Sequence, residues 1–440
     1  MPSSRLHPPA TVVDIAQRLE SAGFEAWCVG GAVRDALLGE THLDWDLATS
    51  ATPDQVRQLF GARRTIPVGI EFGTVGVLDR LGAMHEVTTF RRDVKTDGRH
   101  AVVEFGVSLD DDLARRDFTI NAIAYSPKRN EIRDPFGGQR DLDAKIVRAV
   151  GDPDARMRED RLRALRGIRF AARFGFAIDP ATRRAMDASA PHLGRLSPER
   201  VKQELDKTFD QVCRPGTALE IWQRSGAFAS LIPALADLPR SALTASDFTA
   251  LPGLERRPAR RSIRYAALLA SLGRDRAEAV LLGLRASKHE TRVVGELVAA
   301  WEANGVAIGT AISDPEQAEP GDAMVRRWVA ALSRLAVGPF MRLASAIWSA
   351  DRAAGRTAPP TRAVARLYRR MLVISLRDPI DLGALAVDGD DLRRAGIPAG
   401  PGLGKILQSL LAAVIEDPAR NTPDWLLREA ARLHGDAVPR

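Results

Sequence analysis

Apolar positions in the first 150 residues alternate between helical and strand spacing. Residues 11–22 place Val12, Ile15, Ala16 and Leu19 on one face, which predicts an amphipathic helix closed by Gly23. Residues 24–29 form a short buried strand, and Gly30-Gly31 turns the chain into a helix ending near Gly39. Strand-like runs follow at 45–48, 64–68, 73–78 and 85–90, with a helix over 53–60. Beyond Gly151 the strand signal fades, and 157–174, 180–193, 198–209 and 217–227 all carry helical periodicity. Asp179-Pro180 and Ser197-Pro198 mark two starts, each a capping residue followed by proline at the first helical position. Past Leu231 the pattern stays helical, broken by proline and glycine clusters at 251–254, 314–321, 358–361 and 397–404. No internal repeat and no long linker interrupts it. The pattern predicts a mixed α/β head followed by a long all-helical remainder.

Length and composition add limits. A chain of 440 residues is too long for one ordinary core, and 45% hydrophobic with 27% charged residues is globular composition. Two cysteines, Cys28 and Cys213, supply neither a disulfide framework nor a four-thiolate zinc site. With no apolar leader and no membrane-length apolar run, a reduced, soluble, cytoplasmic protein is expected. Of the 63 basic and 56 acidic residues the first 150 positions hold 19 and 22, leaving 44 against 34. A net −3 followed by a net +10 suggests that the later part binds a polyanion. Arginine greatly outnumbers lysine, and a bias in nucleotide base composition alone would also produce this.

Four clusters carry candidate chemistry. Asp44-Trp45-Asp46, on a strand, projects two carboxylates to one face, and two carboxylates with substrate phosphates suit Mg²⁺. Such pairs also occur on surface turns, but here Leu43, Trp45 and Leu47 give an apolar setting. Gly30-Gly31 between strand and helix lets backbone amides approach a phosphate, and Arg34 is placed to pair with it. A plain tight turn with a surface salt bridge is the alternative; a dinucleotide turn lacks its Gly-x-Gly-x-x-Gly spacing. Residues 115–122, Arg-Arg-Asp-Phe-Thr-Ile-Asn-Ala, follow Asp110-Asp111-Asp112 and predict a helix whose polar end faces either a site or solvent. Asp160, Arg163, Arg166 and Arg169 step by three, predicting one stripe along a helix with acceptors and donors for base edges and phosphates. A salt-bridged exposed face is the alternative reading.

Taken together and in order, these clusters resemble the class II tRNA nucleotidyltransferase family, the bacterial CCA-adding enzymes and their poly(A) polymerase relatives. The likeness runs through 28–50, 72–92, 110–125, 134–138 and 151–176, continues in 196–209 and is weaker over 385–427. It implies an α+β fold: a polymerase-β-like head over 1–150, a helical neck over 151–235, and a helical body and tail over 236–440 that bind tRNA. It implies that Asp44 and Asp46 are catalytic and hold Mg²⁺, and that Gly31, Arg34 and Arg116 bind nucleotide. Asp160 and Arg163 would meet the base edge of CTP or ATP, with Arg166 and Arg169 beside them and 199–207 supporting the pocket. The implied activity is template-independent CCA addition to tRNA, with CC-only, A-only or poly(A) synthesis, and a non-catalytic tRNA-binding protein, as alternatives. No membrane and no protein partner is indicated. The segment 93–103 departs from several relatives, reading Asp97-Gly98-Arg99-His100-Ala101 where a tyrosine and paired arginines are expected, which bears on nucleotide order. The histidines show no metal-ligand spacing, so no phosphohydrolase domain is expected.

Overall fold

A computed structural model describes residues 6–41, 44–96, 101–249, 258–313 and 319–437. Leu43, the segment 97–100 and the breaks at 251–254 and 314–318 lie outside them. The chain forms two compact units, Met1–Val212 with Glu220–Ala236, and Cys213–Leu219 with Asp237–Arg440.

The first unit opens with α1 (Ala10–Ser21), which buries Val12, Ile15, Ala16 and Leu19 as its spacing predicts. Then come β1 (Ala26–Val29), buried throughout, α2 (Gly31–Leu37), β2 (Asp46–Thr49) and α3 (Pro53–Phe60). Thr52 and Gln55 bond reciprocally at the start of α3, a capping box that fixes where that helix begins. Strands β3 (Thr65–Gly69), β4 (Thr74–Leu78) and β5 (Met84–Thr89) follow, then the hairpin β6 (Arg91–Thr96) and β7 (Ala101–Phe105). Helix α4 (Leu109–Ala114), strands β8 (Ala124–Ser126) and β9 (Glu131–Arg133), α5 (Gly138–Asp143) and β10 (Ile146–Val147) complete the head. The main sheet has seven strands in the order β3-β4-β5-β2-β1-β8-β9, with β2 and β5 parallel and the other pairs antiparallel. Trp27, Val29, Ala48, Phe90, Leu113 and Ala124 form a core on it.

The neck departs from its predicted form. The helix expected over 157–174 is two helices, α6 (Pro153–Glu159) and α7 (Leu162–Phe174), separated at Asp160, whose backbone is extended (φ −146°, ψ 107°). A two-residue strand β11 (Ala177–Ile178) pairs parallel with β10 and ties the neck to the head. Helix α8 (Pro180–Ser189) is capped by Asp179, whose carboxylate accepts from the Ala181 and Thr182 amides, and α9 (Pro198–Gln211) starts at Ser197. The helix expected over 115–122 is also absent: α4 ends at Ala114 and residues 119–121 make a single 3₁₀ turn.

In the second unit the described residues contain helices and no strand. One core gathers Val325, Val329, Phe340, Met341, Leu367 and Met371; another gathers Leu392, Ile406, Leu410, Val414 and Leu426. Among the described residues no helix is long and apolar enough to cross a membrane.

Candidate active site

Strand register decides what meets. Val29 pairs with Asp46 across β1 and β2 and with Ala124 across β1 and β8. The Gly30-Gly31 turn, the carboxylates at the start of β2 and the turn at 119–121 therefore converge on one end of the sheet. They open into a cavity of about 770 Å³ within the first unit. Gly31, Arg34, Asp44, Asp46, Arg116, Asp160, Arg163, Arg166 and Arg169 all line it.

The acidic pair does not sit as the strand argument requires. Only Asp46 belongs to β2; Asp44 stands on irregular chain ahead of it and is exposed, with Trp45 buried between them. Burial pushes the Asp46 carboxyl up to about 6, and the nearby charges of Glu86 and Asp44 push the same way, against Arg116 and His85. Glu86 lies on β5, brought beside Asp46 by the parallel pairing of Leu47 with Val87, which no local pattern in the sequence reveals. Carboxylates crowded enough to favour protonation are a site that a cation would relieve. Among the described residues no three or more His, Cys, Asp and Glu side chains gather to hold a metal. Two carboxylates suffice for a hard cation when substrate phosphates supply the remaining oxygens.

The opposite wall is basic. Gly30 has φ +76°, and a Cβ there would meet the Arg116 guanidinium at 3.1 Å, so the glycine permits that guanidinium to lie on the turn. Arg34, only 3% exposed, donates to Asp35 at 2.7 Å and to Asn121 Oδ1, and lies over the rings of Phe170 and Phe174 at 5.1 and 4.8 Å. Arg173 also donates to Asp35, at 3.0 Å. Arg115 and Arg116 share the buried Asp112, at 2.8 and 3.1 Å, leaving Arg116 Nε buried without a hydrogen bond. Arg163 bonds Glu159 at 2.7 Å, Arg166 bonds Asp117 at 2.8 Å, and Arg169 bonds Glu204 at 2.5 Å.

The predicted stripe is corrected at its first member. Asp160 lies in the break before α7, accepting from the Leu162 amide at 3.0 Å and from Arg200 at 2.7 Å, while the three arginines ride on the helix. Asp117 belongs to the cavity too, although its motif left it open whether it faced a site. Burial alone would raise its pKa, but Arg166, Asn121 and the Phe118 amide hold it at about 2. Phe170, Arg173, Lys207 and Gln211 also line the cavity. Phe170 and Arg173 fall in the matched stretch 151–176 and Lys207 in the neck segment 196–209, while Gln211 lies outside every matched segment.

The chain as a whole has known relatives. A model of the poly(A) polymerase head domain matches residues 26–148, and one described as a probable RNA- and SrmB-binding site of polymerase A matches 175–238. The CCA-adding enzyme of Geobacillus kaustophilus is 35% identical over 439 residues, 98% of this chain and 99% of that one. That of Geobacillus stearothermophilus is 36% identical over 434 residues, 96% and 98% of the two chains. The chain belongs to the CCA-adding enzyme family. Among solved structures, the Bacillus stearothermophilus CCA-adding enzyme in complex with CTP gives a TM-score of 0.75 at 32% identity, covering 98% of this chain and 100% of that one. The Thermotoga maritima CCA-adding enzyme complexed with tRNA gives 0.69 at 21% identity over 98% and 97% of the two chains, a likeness of fold. CCA-adding enzymes are nucleotidyltransferases, a family that generally uses a divalent metal.

Proposed function

We infer that this chain completes tRNA, adding C, C and A to its 3′ end from CTP and ATP without a nucleic-acid template. What carries the reading is the convergence, in one cavity, of a glycine turn with guanidiniums, a crowded carboxylate pair and an acceptor–donor pair. Gly31, Arg34 and Arg116 bind the triphosphate: the turn lets backbone approach and the arginines supply positive charge held in place by Asp35, Asn121 and Asp112. Asp44 and Asp46 would hold Mg²⁺, which when bound supplies charge stabilisation at the transferred phosphate. Asp160 accepts and Arg163 donates, so together they meet the amine and the neighbouring acceptor of cytosine or adenine. Uracil and guanine present a carbonyl to the carboxylate instead. Arg166 and Arg169 stand beside that edge, fixed by Asp117 and Glu204.

The head (1–150) thus performs the transfer, the neck (151–235) selects the base, and the body and tail (236–440) hold tRNA. Helix Thr361–Arg377 supports the last role, carrying five arginines and no carboxylate. Unpaired thiols at Cys28 and Cys213 support a cytoplasmic setting. The test is extension of a tRNA ending before CCA, resolved by length. CTP with ATP should add three nucleotides, a chelator should abolish addition, and a long ladder with ATP alone would mark a poly(A) polymerase instead.

A further inference from the structure

The seven arginines lining the cavity each hold a carboxylate. The side chain of Lys207, the remaining cation of the lining, makes no hydrogen bond or ion pair to any described residue. Its place on α9 explains why. Glu204, three residues before it, and Gln211, four after it, both turn to Arg169, accepting at 2.5 and 2.9 Å. Both are thus turned towards Arg169 and away from the lysine between them.

Partial burial pulls Lys207 below the usual lysine range; Glu204 opposes this, and the Arg166 and Arg169 guanidiniums add to it. The Lys207 side chain is nonetheless exposed on the cavity wall, so its ammonium is accessible to a ligand entering the cavity. A substrate's negative charge would supply the partner it lacks, and a flexible stem with three rotatable donors can reach an anion that the fixed guanidiniums cannot follow.

We propose that Lys207 binds a substrate phosphate in the cavity, either in the triphosphate of CTP or ATP or in the phosphodiester backbone at the tRNA 3′ end. The proposal rests on the functional reading above and adds to it a residue that reaches the substrate directly.

The test uses the full chain and two equilibrium titrations without turnover: CTP in the absence of tRNA, and a tRNA ending before CCA in the absence of nucleotide. Lys207→Met keeps the stem and removes the charge; Lys207→Arg restores charge. Lys207→Met should weaken CTP, tRNA or both by about tenfold, as for a lost charge-assisted hydrogen bond, with an unchanged or higher Tm. Lys207→Arg should recover most of the loss. The titration that moves names the source of the phosphate, and a tRNA effect should also lower the salt slope by about one. Unchanged affinities with a folded Lys207→Met overturn the proposal. So does a fall in Tm with both affinities weakened and no recovery by arginine, which is a structural lysine. Wild-type protein that binds neither CTP nor tRNA overturns the functional reading itself.

Discussion

Asp160 serves the fold and the proposed base recognition at once, which decides how it should be tested. Its carboxylate accepts from the Leu162 amide that starts α7 and from Arg200. Alanine would remove a helix cap and a base contact together, whereas Asp160→Asn keeps an acceptor for the amide and replaces the other oxygen by a donor. Asp160→Asn keeps the bond to the Leu162 amide, gives up the Arg200 pair, and should relax discrimination against UTP and GTP by about ten- to a hundredfold in relative kcat/KM, the cost of a mismatched buried polar contact. Uniformly lower rates with unchanged ratios would confine Asp160 to structure. Asp44→Ala or Asp46→Ala should lower transfer by about 10²-fold or more while tRNA binding, measured by titration, is kept. Asp117 gives a pH signature. Its pKa falls from 3.8 to about 2 on folding, so its share of stability, about 2 kcal/mol, is full above pH 4 and is lost as pH falls towards 2. Asp117→Asn should flatten the acid limb of a stability–pH curve in that window; an unchanged limb would remove Asp117 as its source.

At the scale of elements, α5 shows how tightly the head is assembled around the 119–121 turn. A Cβ on Gly138 would stand 2.2 Å from the Thr119 carbonyl oxygen, and that oxygen is backbone and cannot swing away. Gly138→Ala should therefore cost about 1–3 kcal/mol in chemical denaturation, and a neutral result would mean that the turn shifts freely. The elements also show what the sequence made legible. Helix α1, buried β1 and the glycine turn were readable because their signals are local: helical spacing, a short apolar run, a strand-to-helix glycine pair. The break between α6 and α7 was not, because no proline or glycine marks it. An aspartate that bonds the amide two residues on can end one helix and start the next, and this competes with helical continuity without altering the three-residue spacing. The late start of β2 and the β6–β7 hairpin were likewise hidden. So was Glu86, since its closeness to Asp46 depends on which strand lies beside β2. The nine candidate residues were legible as a set because several short motifs occurred in a familiar order, not because any one spacing required a cavity.

Over the whole molecule, charge is uneven along the chain, as the proposed division of roles requires. The net −3 of the first 150 residues and net +10 of the rest fit chemistry in one part and polyanion binding in the other. On helix Thr361–Arg377, Arg366 pairs with Glu319 with both side chains mostly exposed (62% and 58%), so exchanging that partner for a phosphate costs little. Affinity for tRNA should fall steeply with salt, and Arg366→Ala should reduce the slope of log affinity against log salt by about one; an unchanged slope would place the RNA elsewhere. Ending the chain after residue 240 should weaken tRNA binding while CTP binding persists, because every residue lining the cavity precedes that point. The most direct test of the account is to give the wild-type enzyme a tRNA ending before CCA with all four nucleoside triphosphates at equal concentration, and to sequence the 3′ ends. The ends should read CCA and stop there, with U and G at on the order of one part in ten to one in a hundred or fewer. Ends that stop at CC, gain a single A, run on as poly(A) or take up all four bases alike would contradict this reading.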